Sequence, residues 1–186
     1  NPAPETEVPI FTPSHQLLGP SYGLNAYGKA AAAYLALEYL LGTETFQKCL
    51  RAYVERWRGK HPSPYDFFFT FEDVAGQDLD WFWQRWFMEY NTMDLALTGF
   101  RQEEGVGYVR VENTGGKPLP IVLEVAYADG ERTQVTFNPG LWKEKDEVEV
   151  AVAGKNAVES VRLVWEAFLD VNPGNDRIEV GKTGEK

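Results

Sequence analysis

Apolar and polar residues follow two different periods along this chain, one helical and one extended. Between Asn25 and Leu41, the residues Ala30, Ala31, Ala32, Ala33, Leu35, Leu37, Leu40 and Leu41 favour a helix, and Gly42 is a natural stop. Thr43 is expected to cap a second helix. There Phe46, Leu50, Tyr53, Val54 and Trp57 fall on one face of a 3.6-residue period, while Lys48, Arg51, Glu55 and Arg56 fill the other. A third helix opens at Ser63-Pro64-Tyr65-Asp66, with Ser63 as cap, Pro64 at the first helical position and Asp66 as the acidic partner, and is expected to end at Gly76. Asp78 is expected to cap a fourth, whose Leu79, Phe82, Trp83, Trp86 and Phe87 form an aromatic stripe beside Trp81. Helical spacing makes that stripe core packing rather than a ligand cage or a sugar platform.

After Met93 the period drops to two. Strands are predicted at Leu95-Leu97, Val106-Tyr108-Arg110, Val109-Val111, Ile121 to Tyr127, Val135-Phe137, Val148 to Val152 and Val161-Leu163-Trp165. Turn signals at Glu104-Gly105, Thr114-Gly115-Gly116, Asp129-Gly130 and Pro139-Gly140 separate them. The expected fold class is therefore α+β: a helical part over residues 1–93 and an all-β sandwich of about seven strands over residues 94–186. The prolines at 2, 4, 9, 13 and 20 argue for an extended, helix-free opening segment that lies on something else.

Composition narrows the function. With 186 residues, 44% hydrophobic and 14% aromatic, the chain has enough apolar surface for a core. Its single cysteine excludes an internal disulfide framework and a thiolate zinc cluster, and Cys49, on the face of Phe46 and Tyr53, reads as buried and inert. A net charge of −10 argues against a phosphate-tracking nucleic-acid binder and against a basic membrane-surface protein. No apolar run approaches the ~20 residues of a membrane span, so neither nucleic acid nor membrane is expected as a partner. The chain opens Asn-Pro-Ala-Pro without Met, so its first residue is expected to be a cut boundary.

No H-E-x-x-H, phosphate-binding loop, G-x-S-x-G or paired-cysteine motif occurs. The histidines, His15 and His61, sit in proline-containing loops with no partner at a metal-ligand spacing and read as surface or packing residues. Glu72, Asp73, Asp78 and Asp80 read as a solvated face with one cap, and Asp170, Asn172, Asn175 and Asp176 around Pro173-Gly174 as a turn rather than a calcium loop. That leaves Tyr22 and Tyr27, five positions apart at the entrance of the alanine-rich helix. Packing is the default role for such amphipathic rings. The glycine that follows Tyr27 complicates this: inside a helix Gly28 costs ~1 kcal/mol relative to Ala, which hints at a close approach to the backbone or an obstructed space above it.

The segment Tyr27-Gly28-Lys29-Ala30, then Tyr34 through Gly42, then Phe46 and Leu50-Arg51-Ala52-Tyr53, resembles the stretch that follows the zinc ligands in the gluzincin aminopeptidases, the family of aminopeptidase N and leukotriene hydrolase. Asp66-Phe67-Phe68, Glu72 and Gly76 through Phe87 resemble the same family's closing helices, in order and in spacing. Beyond residue 94 the resemblance is looser, to the β-sandwich domain of bacterial members, ending near Leu169-Asp170-Val171-Asn172. It implies a C-terminal part of a zinc aminopeptidase that removes N-terminal residues from peptides. Zinc ligands would precede residue 1, and the chain alone is expected to bind no catalytic zinc and to be inactive. Its partners would be the N-terminal part of the same peptidase and a peptide substrate. Tyr27 matches the family's oxyanion-stabilising tyrosine, and Tyr22 a second tyrosine near the substrate. The chemistry fits independently, since a neutral phenol with a pKa near ~10 remains a donor at working pH. The rival reading is a non-catalytic interaction or carbohydrate-binding sandwich on a helical stalk. It predicts an exposed aromatic platform on the sheet, where the first predicts a Tyr27 free of the core.

Overall fold

The computed structural model describes residues 8–17, 19–153, 157–164, 168 and 170–180, which divide into two compact units, Asn1–Asn91 and Thr92–Lys186. Pro2, Pro4, Trp165 and Leu169, all used in the sequence reading, lie outside the described residues.

In the first unit, α1 (Pro20–Gly23) runs through a π-helical stretch, Leu24–Lys29, into α2 (Ala30–Leu41), followed by α3 (Thr43–Trp57), α4 (Pro64–Ala75) and α5 (Asp80–Trp83), which continues into a second π-helical stretch, Gln84–Met88. The first helix thus begins earlier than Asn25. Pro20 occupies its first turn, where a fixed φ suits the helix and the missing N–H would have had no partner. Ser14–Gln16 forms a single 3-10 turn, so the opening segment is not wholly extended.

Two caps differ from expectation. Gly42, at φ 77° and ψ 148°, both ends α2 and caps α3, and Thr43 is already helical. That conformation suits glycine and would strain a residue with a Cβ. Leu79 takes the cap position of α5, and Asp78 acts one residue earlier, its carboxylate accepting from the Asp80 amide at 2.8 Å. At α4 the expected box forms: Asp66 Oδ2 accepts from the Ser63 amide at 2.8 Å and from the Ser63 hydroxyl at 2.7 Å. Gly76, left-handed at φ 66°, ends that helix as expected.

The aromatic stripe is core. Phe82, Trp83 and Trp86 are buried, and Trp83 stacks on Phe68 at 4.6 Å between ring centres. Phe67 lies 4.3 Å from Phe71, and Phe46 meets Phe71 edge-on. Cys49 is fully buried beside this cluster, and burial pushes its thiol pKa up, which keeps it protonated and unreactive. Val54 departs from its predicted stripe and is 54% exposed. A carboxylate ties α4 to α5: Glu72 Oε1 accepts from the Trp83 indole at 3.0 Å and from the Leu79 amide at 3.2 Å.

Among its described residues the second unit holds seven strands: β1 (Ala96–Glu103), β2 (Val106–Glu112), β3 (Ile121–Tyr127), β4 (Arg132–Phe137), β5 (Glu147–Ala153), β6 (Val158–Leu163) and β7 (Arg177–Glu179). They form two antiparallel sheets, ordered β1-β2-β5 and β4-β3-β6-β7, so the class is α+β with an all-β sandwich. The two predicted strands within 106–111 are one strand, β2, whose alternate residues face opposite ways. Pro139-Gly140 is not a hairpin turn but opens a 3-10 helix that buries Trp142, whose indole donates to the Leu119 carbonyl at 2.7 Å. β7 carries no apolar alternation and was not predicted. Gly115 is required by space: a Cβ there would stand 2.4 Å from the Thr92 carbonyl oxygen.

On β3 the residues Ile121, Leu123, Val125 and Tyr127 are buried, and Glu124 on the other face joins Arg162 of β6 and Arg132 of β4, each at 2.8 Å. Arg162 first, then Arg132, holds the Glu124 carboxyl below its ordinary range. The stabilisation is complete above the unfolded glutamate pKa of about 4.3 and is lost as pH falls through the lower folded value. Glu124→Gln should therefore flatten the decline of stability below about pH 4.3, measured as melting temperature against pH.

In the helical unit, Glu72→Ala should lower the unfolding free energy by about 1–3 kcal/mol, because it leaves a buried indole N–H and an amide without an acceptor. Asp73→Ala breaks only the exposed pair with Arg56 and should cost under ~1 kcal/mol. Urea unfolding followed by tryptophan fluorescence separates the two.

Candidate active site

The helix entrance is built around two buried polar side chains. Asn25 and Lys29 are each 1% exposed, and both turn towards the segment that precedes the helix. Lys29 Nζ donates to the Val8 carbonyl at 2.7 Å, and the Val8 amide approaches Asn25 Oδ1 at 3.4 Å. Asn25 Nδ2 donates back to the Ser21 carbonyl at 2.8 Å. An ammonium out of water requires oxygen partners, so the opening segment is pinned across this face of the helix. The Phe11 amide, bonded to the Phe87 carbonyl at 2.9 Å, carries the same segment on to the end of the second π stretch. The expectation of a segment lying on something else is met for residues 8–13.

With Asn25 and Lys29 turned inward, Tyr22 and Tyr27 face out. Tyr27 is 65% exposed and Tyr22 42%, with their rings edge-on at 5.9 Å between centres. The π stretch explains how they meet. In an α-helix each residue advances about 100°, so two side chains five apart would point about 140° away from each other. A π turn closes hydrogen bonds from i to i+5 and accommodates one extra residue. Tyr27 then falls about 40° from Tyr22, one turn further along the same face. Interaction with the Tyr27 phenol pushes the Tyr22 hydroxyl pKa above the usual tyrosine value.

The structure thus brings Tyr22 and Tyr27 together and leaves both outside the core. A straight α-helix would have held these two positions apart, so their five-residue spacing gave no sign of the pairing. Among the described residues a Cβ at Gly28 would meet only Leu24 Cδ1 at 3.9 Å, so none of them makes the close approach inferred from that glycine. Sequence reasoning passed over Asn25 and Lys29, whose polar character inside a helical stripe was the available sign of buried partners.

The described residues do not fit a catalytic zinc. His15 and His61 are both exposed. Among the described residues one acidic group, Glu72 with Asp78 and Asp80, brings its carboxylate oxygens within 4.8 Å of one another. It holds no histidine, and Glu72 Oε1 is already bonded to the Trp83 indole and the Leu79 amide. Around Pro173-Gly174 the turn reading is supported: Asp170 Oδ1 accepts from the Asn172 amide at 2.6 Å, and Asn175 Nδ2 donates to Asp94 at 3.0 Å. Burial, ahead of the charge of Asp94, pushes the Asp170 carboxyl pKa up. Among the described residues no helix is long and apolar enough to cross a membrane.

Among the described residues the most exposed large hydrophobic side chains, Tyr27, Tyr65, Phe69 and Tyr90 included, belong to the helical unit. The sheets show no comparable aromatic platform among the described residues, which removes the support that a carbohydrate-binding reading would have had.

Residues 9–86 match the Peptidase family M1 domain. Aminopeptidase N of Escherichia coli (strain K12) is 37% identical over 71 residues, which cover 38% of this chain and 8% of that protein. The crystal structure of Legionella pneumophila aminopeptidase A in complex with aspartic acid is similar in fold, with a TM-score of 0.57 at 18% identity, over 77% of this chain and 17% of that one. The chain therefore spans a small part of the relatives it matches. The matched stretch, residues 9–86, includes both tyrosines and the aromatic helices and is similar to the M1 peptidase domain.

Proposed function

We propose that this chain supplies the oxyanion-stabilising tyrosine of a zinc-dependent aminopeptidase that removes N-terminal residues from peptides. The observation that carries this reading is Tyr27, 65% exposed on a π-helical stretch inside the family-matched segment, with its helix fixed beneath it by Lys29 and Asn25. A donor held in place before reaction stabilises charge without reorganising at the moment of reaction. As a peptide carbonyl becomes tetrahedral, negative charge grows on its oxygen, and the Tyr27 hydroxyl donates to it. Phenylalanine at this position keeps the ring and loses the donor. Zinc, in this reading, activates the attacking water and is held by the N-terminal part of the same peptidase, because the described residues of this chain do not compose its site. That part is also the proposed partner of this chain, and Tyr22, in ring contact with Tyr27, is the proposed substrate contact beside it.

Two outcomes are expected. In the polypeptide that joins this chain to the zinc-binding segment, Tyr27→Phe should lower kcat on an aminoacyl anilide by roughly 10²–10³, about 3–4 kcal/mol, with little change in KM or zinc content. A variant that keeps more than about a third of kcat, a loss under ~1 kcal/mol, would end the catalytic assignment.

The chain alone should carry no stoichiometric zinc after dialysis and should give no turnover, and addition of the zinc-binding segment should restore activity. Elemental analysis and the same anilide assay read both. One tightly held zinc per isolated chain would contradict the reading.

A further inference from the structure

We propose that the aromatic cleft between α4 and α5 binds the guanidinium group of an arginine carried on a peptide. The inference does not depend on the role proposed for Tyr27. The cleft has a volume of about 570 Å³, within the range of small-ligand sites. Phe68 and Trp83, both buried and stacked at 4.6 Å, line its base. Its walls differ from the packed stripe of Phe82, Trp83 and Trp86. Tyr65 and Phe69, four apart on α4, hold their rings 27° from parallel at 6.3 Å between centres, and both are exposed, Phe69 by 62%. Trp81, half-buried beside the stripe, lines the same cleft. The face of an aromatic ring carries negative charge density and attracts a cation, and guanidinium, planar and weakly hydrated, stacks on it more readily than an ammonium does.

The polar groups of the cleft select the same chemistry. Asp80 and Gln84, four residues apart, both line it, and the described lining residues include no Lys, Arg or His. The bond between Asp80 and Asp78 uses the Asp80 amide and leaves the Asp80 carboxylate to a ligand. The Gln84 side-chain amide donates to Glu89 Oε1 at 3.2 Å, which leaves its carbonyl oxygen as a second acceptor. Glu72 and Asp78 each bring a carboxylate oxygen within 4.8 Å of one of Asp80, so negative charge gathers at this rim. A guanidinium meets both demands at once: its face stacks on a ring while its in-plane N–H groups reach a carboxylate. The net charge of −10 favours the approach of a basic peptide.

The test is binding of a blocked peptide, acetyl-Ala-Arg-Ala-amide, to this chain, followed by NMR through the Trp81 indole N–H, a signal identified by its loss in Trp81→Phe. The blocked amino terminus keeps the probe from being an aminopeptidase substrate. A saturable shift with a roughly millimolar Kd is expected. The citrulline counterpart, which keeps the shape and loses the charge, should bind roughly tenfold more weakly. Asp80→Asn should weaken binding of the arginine peptide roughly 3–5-fold, and Phe69→Ala roughly 2–5-fold. Both side chains are exposed, so the melting temperature of each variant should stay close to that of the parent chain.

Equal binding of the citrulline peptide, or a Trp81 signal unmoved up to about 20 mM peptide, would overturn the proposal. So would arginine binding that neither substitution weakens. In the polypeptide that joins this chain to the zinc-binding segment the same shift should persist. Its loss there would make the cleft a seat for the rest of the peptidase and would also overturn the proposal.

Discussion

A lysine ammonium taken out of water is the constraint on which the helical unit turns. Lys29 is almost fully buried, and its Nζ finds the Val8 carbonyl at 2.7 Å. Asn25, buried on the same face, bonds to the turn before it. Leaving either group unpaired in that setting would cost more than a typical single contact contributes, so the opening segment and the helix are fixed together. The rotation of the helix follows from this. Once Asn25 and Lys29 face inward, the alanines Ala32, Ala33 and Ala36 continue towards the core and Tyr22 and Tyr27 are left outside it.

The rest of the helical unit supports that entrance by aromatic packing. Trp83 is stacked on Phe68 and held by the Glu72 carboxylate through its indole N–H. The second π stretch follows directly, and its Phe87 carbonyl accepts from Phe11 in the opening segment. The segment that Lys29 pins at one end is therefore bonded at the other to the helix that closes the unit. Rigid packing behind an exposed donor is what an oxyanion site requires, since a donor that must reorganise gives back much of its effect.

The sheet unit is organised by different means. β3 lies between β4 and β6, buries one face and carries Glu124 on the other, where two arginines from the flanking strands meet it. Exposed pairs of this kind contribute modestly, and the burial of Ile121, Leu123, Val125 and Val161 dominates. No comparable display of exposed aromatic groups occurs among its described residues, so the chemistry proposed for this chain rests on the helical unit.

The sequence by itself determined the α+β class, the stop at Gly76, the capping box of Ser63 and Asp66, the buried Cys49 and the family resemblance that singled out Tyr27. Each of these is local: a period, a turn residue or a side chain bonding its own neighbours leaves a readable trace over a few positions. The early start at Pro20, the exchange of cap roles at Gly42 and Leu79, the 3-10 helix at Pro139 and the strand β7 were decided by tertiary structure. In these places local preference was nearly balanced and distant contacts chose. The facing of Tyr22 and Tyr27 was of the same kind. One extra residue in a helical turn changes the angle between them by about 100°, and no period in the sequence announces it. What favours that turn is the burial of Asn25 and Lys29 against a segment far earlier in the chain, a condition that exists only once the chain has folded.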